Sequence, residues 1–188
     1  MGTLIAGLAL FFAVHAIPMR PEIRAALAVK LGTVLYQAIF ALISLAGLIL
    51  IFKGYHPAVG TPLWEPPSWS HHATFLLMLP VFPLLIAAYL PGQLRRFIPH
   101  PMLMAVKLWA VAHLFSNTDL ASILLFGGFL AYGVIDLISI KRRQRASGIT
   151  PKAGYLANDV IANVVGLALY AVMVLWGHGA LIGVTLVG

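Results

Sequence analysis

Cysteine is absent from the 188 residues, and Asp and Glu together number only 5. The first absence excludes disulfides, iron–sulfur clusters and thiolate ligands, and leaves histidine as the soft metal donor besides methionine. Charge of either sign is scarce, at 9% of residues where a soluble globular domain carries about a quarter. With 61% hydrophobic residues and a mean hydropathy of +0.97, the chain reads as a polytopic membrane protein. Also missing are a GxGxxG turn, a P-loop, a nucleophile elbow, a zinc-protease motif and any obvious internal repeat. The opening MGTLIAGLALFFAVHAIP lacks a basic n-region, so a first span is expected there and not a cleavable signal peptide.

What is present is organised around Pro99 to Arg143. Two apolar runs flank Ser116-Asn117-Thr118-Asp119, residues that favour turns and helix caps, so the stretch reads as a membrane hairpin. Inside it lie His100, Lys107, Trp109 and His113, and polar groups in hydrocarbon are costly unless paired or put to use. A first span from Gly2 to Ile17 is closed by Pro18 and Pro21, and a second runs from Leu31 to Phe52. Tyr55 to Ser70 is rich in Pro, Gly and Trp. It reads as an interfacial loop with Trp64 and Trp69 at headgroup depth, as an aromatic belt or as a lid over a ligand. His71 and His72 open a third span that ends at Leu90 and is kinked by Pro80 and Pro83. After the hairpin, Gly148 and Pro151 break the basic loop, and a last span runs from Asn158 to Leu175 or beyond. The expectation is an all-α bundle of about six transmembrane helices, forming a single transmembrane domain over residues 1–188.

The formal charge of +7 would suggest nucleic acid in a soluble protein, but its distribution has a simpler cause. Lys and Arg crowd the first, third and fifth connections, the second has only Lys53, and the fourth has none. The positive-inside rule then makes the basic loops cytoplasmic and puts both termini, the Trp-rich loop and the hinge outside; no nucleic-acid partner is expected.

Imidazoles on several helices of a cysteine-free bundle can ligate a haem, because bis-His coordination needs one nitrogen from each face of the macrocycle and an apolar slot. Trp109 and His113 are four apart and share a helix face, with Ala105 and Ala112 as small neighbours that leave room for a flat ring or simply pack against helices. His100 and Lys107 lie on a different face, and Lys107 either snorkels or pairs with Asp136 or Asp159. His15, near the inner end of the first span, is either a ligand or a structural residue.

These residues resemble the bacterial NnrU family. His15 followed by Pro and Arg, PLWEPP ahead of a His-led span, the tripeptide PHP, the run KLWAVAHLFSN and LLFGGFLAYGVID-x-IS-x-KRR carry the likeness over nearly the whole chain. NnrU proteins are associated with nitrite and nitric oxide metabolism and are related to ζ-carotene isomerase, a membrane haem b enzyme that isomerises a double bond through a redox-dependent change of haem ligation. The resemblance therefore implies an inner-membrane haem b protein, with nitric oxide or an apolar substrate as partner and a redox or isomerase-like activity. It places the iron ligands on His15 and His113. The isomerase's cysteine falls on Ala110, so a thiolate-for-imidazole exchange has no residue here. At about 1.5 Å rise per residue His15 and His113 fall at different depths, and depth alone favours His72 as the second ligand. A rival reading is a non-haem transporter or assembly factor of the nitrogen-oxide pathway. The HP of Pro99-His100-Pro101 is also similar to isoprenylcysteine-type methyltransferases that bind S-adenosylmethionine, though Pro99 stands where those have Arg. Substrate, electron donor and oligomeric state, a homo-oligomer included, are left open by the sequence.

Overall fold

Apolar runs bounded by Pro, Gly and short polar turns fold as helices throughout the computed structural model, which describes residues 1–148 and 152–187. Among those residues there is no strand. The breaker expected at Pro151 lies outside the described residues, whereas Gly148, with φ 69, follows the helix that it was expected to end.

Helix α1 (Gly2–Ala16) runs into a 3-10 turn containing Pro18, which has no N–H with which to continue the ladder. Pro21 then starts α2 (Pro21–Leu31), with Glu22 in its first turn and Lys30 in its last, as the helix dipole favours. This short helix replaces the plain connection expected from the sequence, and none of its residues is buried. Helix α3 (Thr33–Tyr55) ends at Pro57 in the same manner as α1. Pro80 divides the third span into α4 (Ser70–Met78) and α5 (Val81–Tyr89), with Pro83 in the first turn of α5. Then come α6 (Pro101–Ser116), α7 (Leu120–Ser147), α8 (Leu156–Val172), a π-helical turn over Met173–Gly177, and α9 (His178–Ile182).

Among the described residues five segments are long and apolar enough to cross a bilayer: Gly2–Met19, Thr33–Ala58, Ser70–Tyr89, Leu120–Ser147 and Leu156–Ile182. Helix α6, at 16 residues, is shorter. At about 1.5 Å per residue it measures roughly 24 Å, short of the roughly 30 Å of a hydrocarbon core. Five long helices and this shorter one agree with the expected bundle of about six.

The chain forms two compact units, one of residues 1–66 and 117–140, the other of residues 67–116 and 141–188. In the first unit α1 lies against α3 so closely that a Cβ on Gly54 would strike the backbone of Leu4. Only glycine permits that approach, which replaces side-chain packing by direct backbone contact. Leu4, Leu8, Ile51, Leu125 and Phe126 are buried there, and Phe12 meets Phe129 and Tyr132 at ring distances of 5.1 and 5.6 Å. The Trp-rich segment is held by two hydrogen bonds. The Leu63 N–H donates to the Thr118 carbonyl at 3.1 Å, and the Thr118 hydroxyl donates to the Trp64 carbonyl at 2.7 Å.

In the second unit Val81, Leu84 and Ala105 form a core that Met104, Leu108 and Trp109 extend. Helices α5 and α8 approach where a Cβ on Gly166 would strike Pro83. Helices α4 and α6 are joined by Thr74, whose Oγ1 bonds to the Ala112 carbonyl at 2.8 Å and to Ser116 Oγ at 2.7 Å.

Candidate functional site

His15 and His113 occupy equivalent local settings. Each ends an apolar helix with an aromatic residue one turn earlier, Phe11 and Trp109 respectively. In each, Nδ1 lies 2.8 Å from the carbonyl of that aromatic residue. A carbonyl can only accept, so Nδ1 carries the proton, and in the neutral ring the lone pair belongs to Nε2. This is the arrangement that orients metal-ligating imidazoles in general: one nitrogen donates to a fixed oxygen and the other keeps donor character toward a metal.

The surroundings differ. His15 stacks on Phe11 at 4.0 Å with planes 20° apart, and Phe40 and Tyr132 stand 5.1 and 5.8 Å away. The Tyr132 hydroxyl donates to the Asp136 carboxylate, which lies within electrostatic reach of the imidazole. His113 tilts by 50° against Trp109 at 5.3 Å, and its helix buries Ala105, Ala110 and Ala112 completely. The imidazole of His178 lies within electrostatic reach of His113, and its own Nδ1 donates to the Val184 carbonyl at 2.7 Å. The π-helical turn immediately before His178, over Met173–Gly177, is a local irregularity of a kind often found at functional sites.

The other candidates are placed as follows. His72 lies in the first turn of α4 and is exposed; Thr74, two residues on, is bound to Ala112 and Ser116, so α4 begins beside the end of α6 that carries His113. His100 precedes α6, and its Nε2 donates to the side-chain oxygen of Gln144 at 3.3 Å, the opposite tautomer to that of His15 and His113. Lys107 is half-buried and forms no ion pair among the described residues. The carboxylate of Asp159, one of its two expected partners, instead accepts the backbone N–H groups of Gln93 at 2.7 Å and Leu94 at 3.2 Å.

A polar cluster that the sequence indicated only as a hinge stands at the start of α7. Asp119, 6% exposed, accepts the Ser122 N–H at 3.1 Å and the Ser122 hydroxyl at 2.5 Å, and the Tyr55 hydroxyl donates to Ser122 Oγ at 2.8 Å. Asp119 is a helix N-cap, as its residue type suggested; the part played by Tyr55, 67 positions from Ser122, had no sequence signal.

Among the described residues no group of three or more His, Asp or Glu side chains is arranged to hold a metal ion. Haem needs no such group, because the macrocycle supplies four donors and the protein one or two axial ones. The donor chemistry of His15 and His113, imidazoles whose Nδ1 is held by a backbone carbonyl so that Nε2 is left for a metal, fits that requirement. The family model described as NnrU protein matches residues 3–186, and neither a curated protein nor a solved structure matches the chain.

Proposed function

This chain belongs to the NnrU family, and from that premise we propose that it is an inner-membrane haem b protein of nitrite and nitric oxide metabolism. His113 is one axial ligand and His15, the residue implied by the family resemblance, is the other. The observation that carries the reading is the shared hydrogen bond from Nδ1 to the carbonyl one turn earlier, which sets both imidazoles in the ligating tautomer. His72 is the alternative second ligand, favoured by the start of α4 beside the end of α6 that carries His113. The bound haem would supply one-electron chemistry or a position for a small diatomic ligand. The chain's own contribution is to fix the imidazole planes through Phe11 and Trp109 and to keep water from the iron with an apolar lining.

The basic connections lie on the cytoplasmic side in this reading, with both termini periplasmic. Cysteines placed at Gly60 and Ala146, where Gly60 has open space around it, should label from outside and from inside respectively; the reverse pattern overturns the orientation. Haem binding is tested by the absorption spectrum of the pure protein. A Soret band with low-spin α and β bands on reduction is expected, and His113→Ala should lose the haem. Colourless protein from haem-replete cells, or an unchanged spectrum in His113→Ala, refutes the proposal.

A further inference from the structure

The second unit is strongly cationic: it holds Arg95, Arg96, Lys107 and the five Lys and Arg from Lys141 to Lys152, eight in all, and a single carboxylate, Asp159. Asp159 is engaged by the backbone of Gln93 and Leu94, so it caps the 3-10 turn Gln93–Arg96. Arg95 in that turn is pinned by Nη2, which donates to the Ala88 carbonyl at 2.8 Å. Its Nε is buried and has no hydrogen-bond partner among the described residues. A buried N–H of a charged group is costly to leave unsatisfied and calls for an acceptor.

The fold brings a second basic run to the same place. The hydrogen bond from His100 to Gln144 sets the end of α7, with exposed Lys141, Arg142 and Arg145, beside the chain that follows Arg96. Tyr89 and Phe97, 78% and 83% exposed, flank the Arg95 turn and offer apolar surface next to the charge. Guanidinium groups match phosphate oxygens in geometry as well as in sign, and juxtamembrane cations are drawn to anionic lipid.

We propose that the Gln93–Arg96 turn and the end of α7 form a binding site for the phosphate of an anionic phospholipid, with the half-buried guanidinium of Arg95 and the exposed one of Arg96 as donors and Phe97 against the acyl chains. The site is separate from the candidate haem ligands, and its test does not depend on them. Full-length protein in detergent is equilibrated with equal phosphatidylglycerol and phosphatidylethanolamine, and retained lipid is read by native mass spectrometry. The wild type should retain phosphatidylglycerol preferentially, and Arg95→Gln should lower the ratio about fivefold, as expected for one juxtamembrane cation. Arg96→Gln, at an exposed side chain, should lower it in the same direction and carries the test if Arg95→Gln does not fold. Arg24→Gln, in the first unit, should leave the ratio unchanged. Equal retention of the two lipids by the wild type, an equal loss in Arg24→Gln, or displacement of the lipid by millimolar inorganic phosphate would each overturn the proposal.

Discussion

The two units place polar groups in an apolar chain in opposite ways. Residues 1–66 and 117–140 contain four Lys and Arg and four carboxylates, whereas the other unit contains eight and one, so the whole formal charge of +7 resides there. In the first unit Asp119 and Asp136 turn inward and are answered by hydroxyls, those of Ser122 and Tyr132. In the second, the lone carboxylate answers backbone amides, so eight cations face a single acidic side chain that is already engaged. A buried carboxylate costs least where several donors converge on it, which makes the first unit's polar groups internal. Surplus charge of one sign has no such internal match, and most of it lies on exposed side chains such as Arg96, Lys141, Arg142 and Arg145. Against this difference stands one likeness, the imidazole anchored to the carbonyl of an aromatic residue one turn earlier, which occurs once in each unit.

The likeness is put to its hardest test by paired substitutions. His15→Ala should turn a six-coordinate low-spin haem into a five-coordinate high-spin one that binds nitric oxide faster than the parent, with His72→Ala leaving the spectrum intact. If the spectra respond the other way round, His72 is the ligand and the arrangement at His15 is structural. The next largest effect separates the carboxylates. Asp119→Ala removes a helix cap and leaves the Ser122 N–H and hydroxyl without their acceptor, at about 3 kcal/mol of stability. Asp159→Ala should cost about 1 to 2 kcal/mol, because the amides it frees stand at a partly open turn. Thermal unfolding in detergent reads both, and equal losses would remove the contrast between buried and peripheral carboxylates. A further test probes the close glycine contacts found within each unit. Gly54→Ala and Gly166→Ala each force a backbone to move and should cost about 1 to 3 kcal/mol by the same measurement, while Gly60→Ala should cost nothing measurable.

Much of this architecture was readable from composition and from where prolines and glycines fall. Hydropathy set the membrane class and the helical content, since a backbone in lipid must satisfy its own hydrogen bonds. Pro18, Pro57 and Pro80 interrupt helices where an N–H is missing, and Asp119 caps α7 because its side chain can reach an amide three residues on. The anchored imidazoles are likewise local, each bonding to a carbonyl four residues before it. Other features were out of reach. The helix after Pro21 buries none of its eleven residues, so no apolar face set it apart from a connection, and that α6 is shorter than the five long apolar segments depends on where its first residue starts. The hydrogen bonds of Tyr55 to Ser122, His100 to Gln144 and Asp159 to Gln93 join residues 67, 44 and 66 positions apart. Sequence determined what each helix is and which groups it carries, because those properties follow from neighbours within a turn. Tertiary structure alone decided which distant groups share a proton or a charge, because that depends on how closely glycine-bearing helices pack, and close packing leaves no record at either residue.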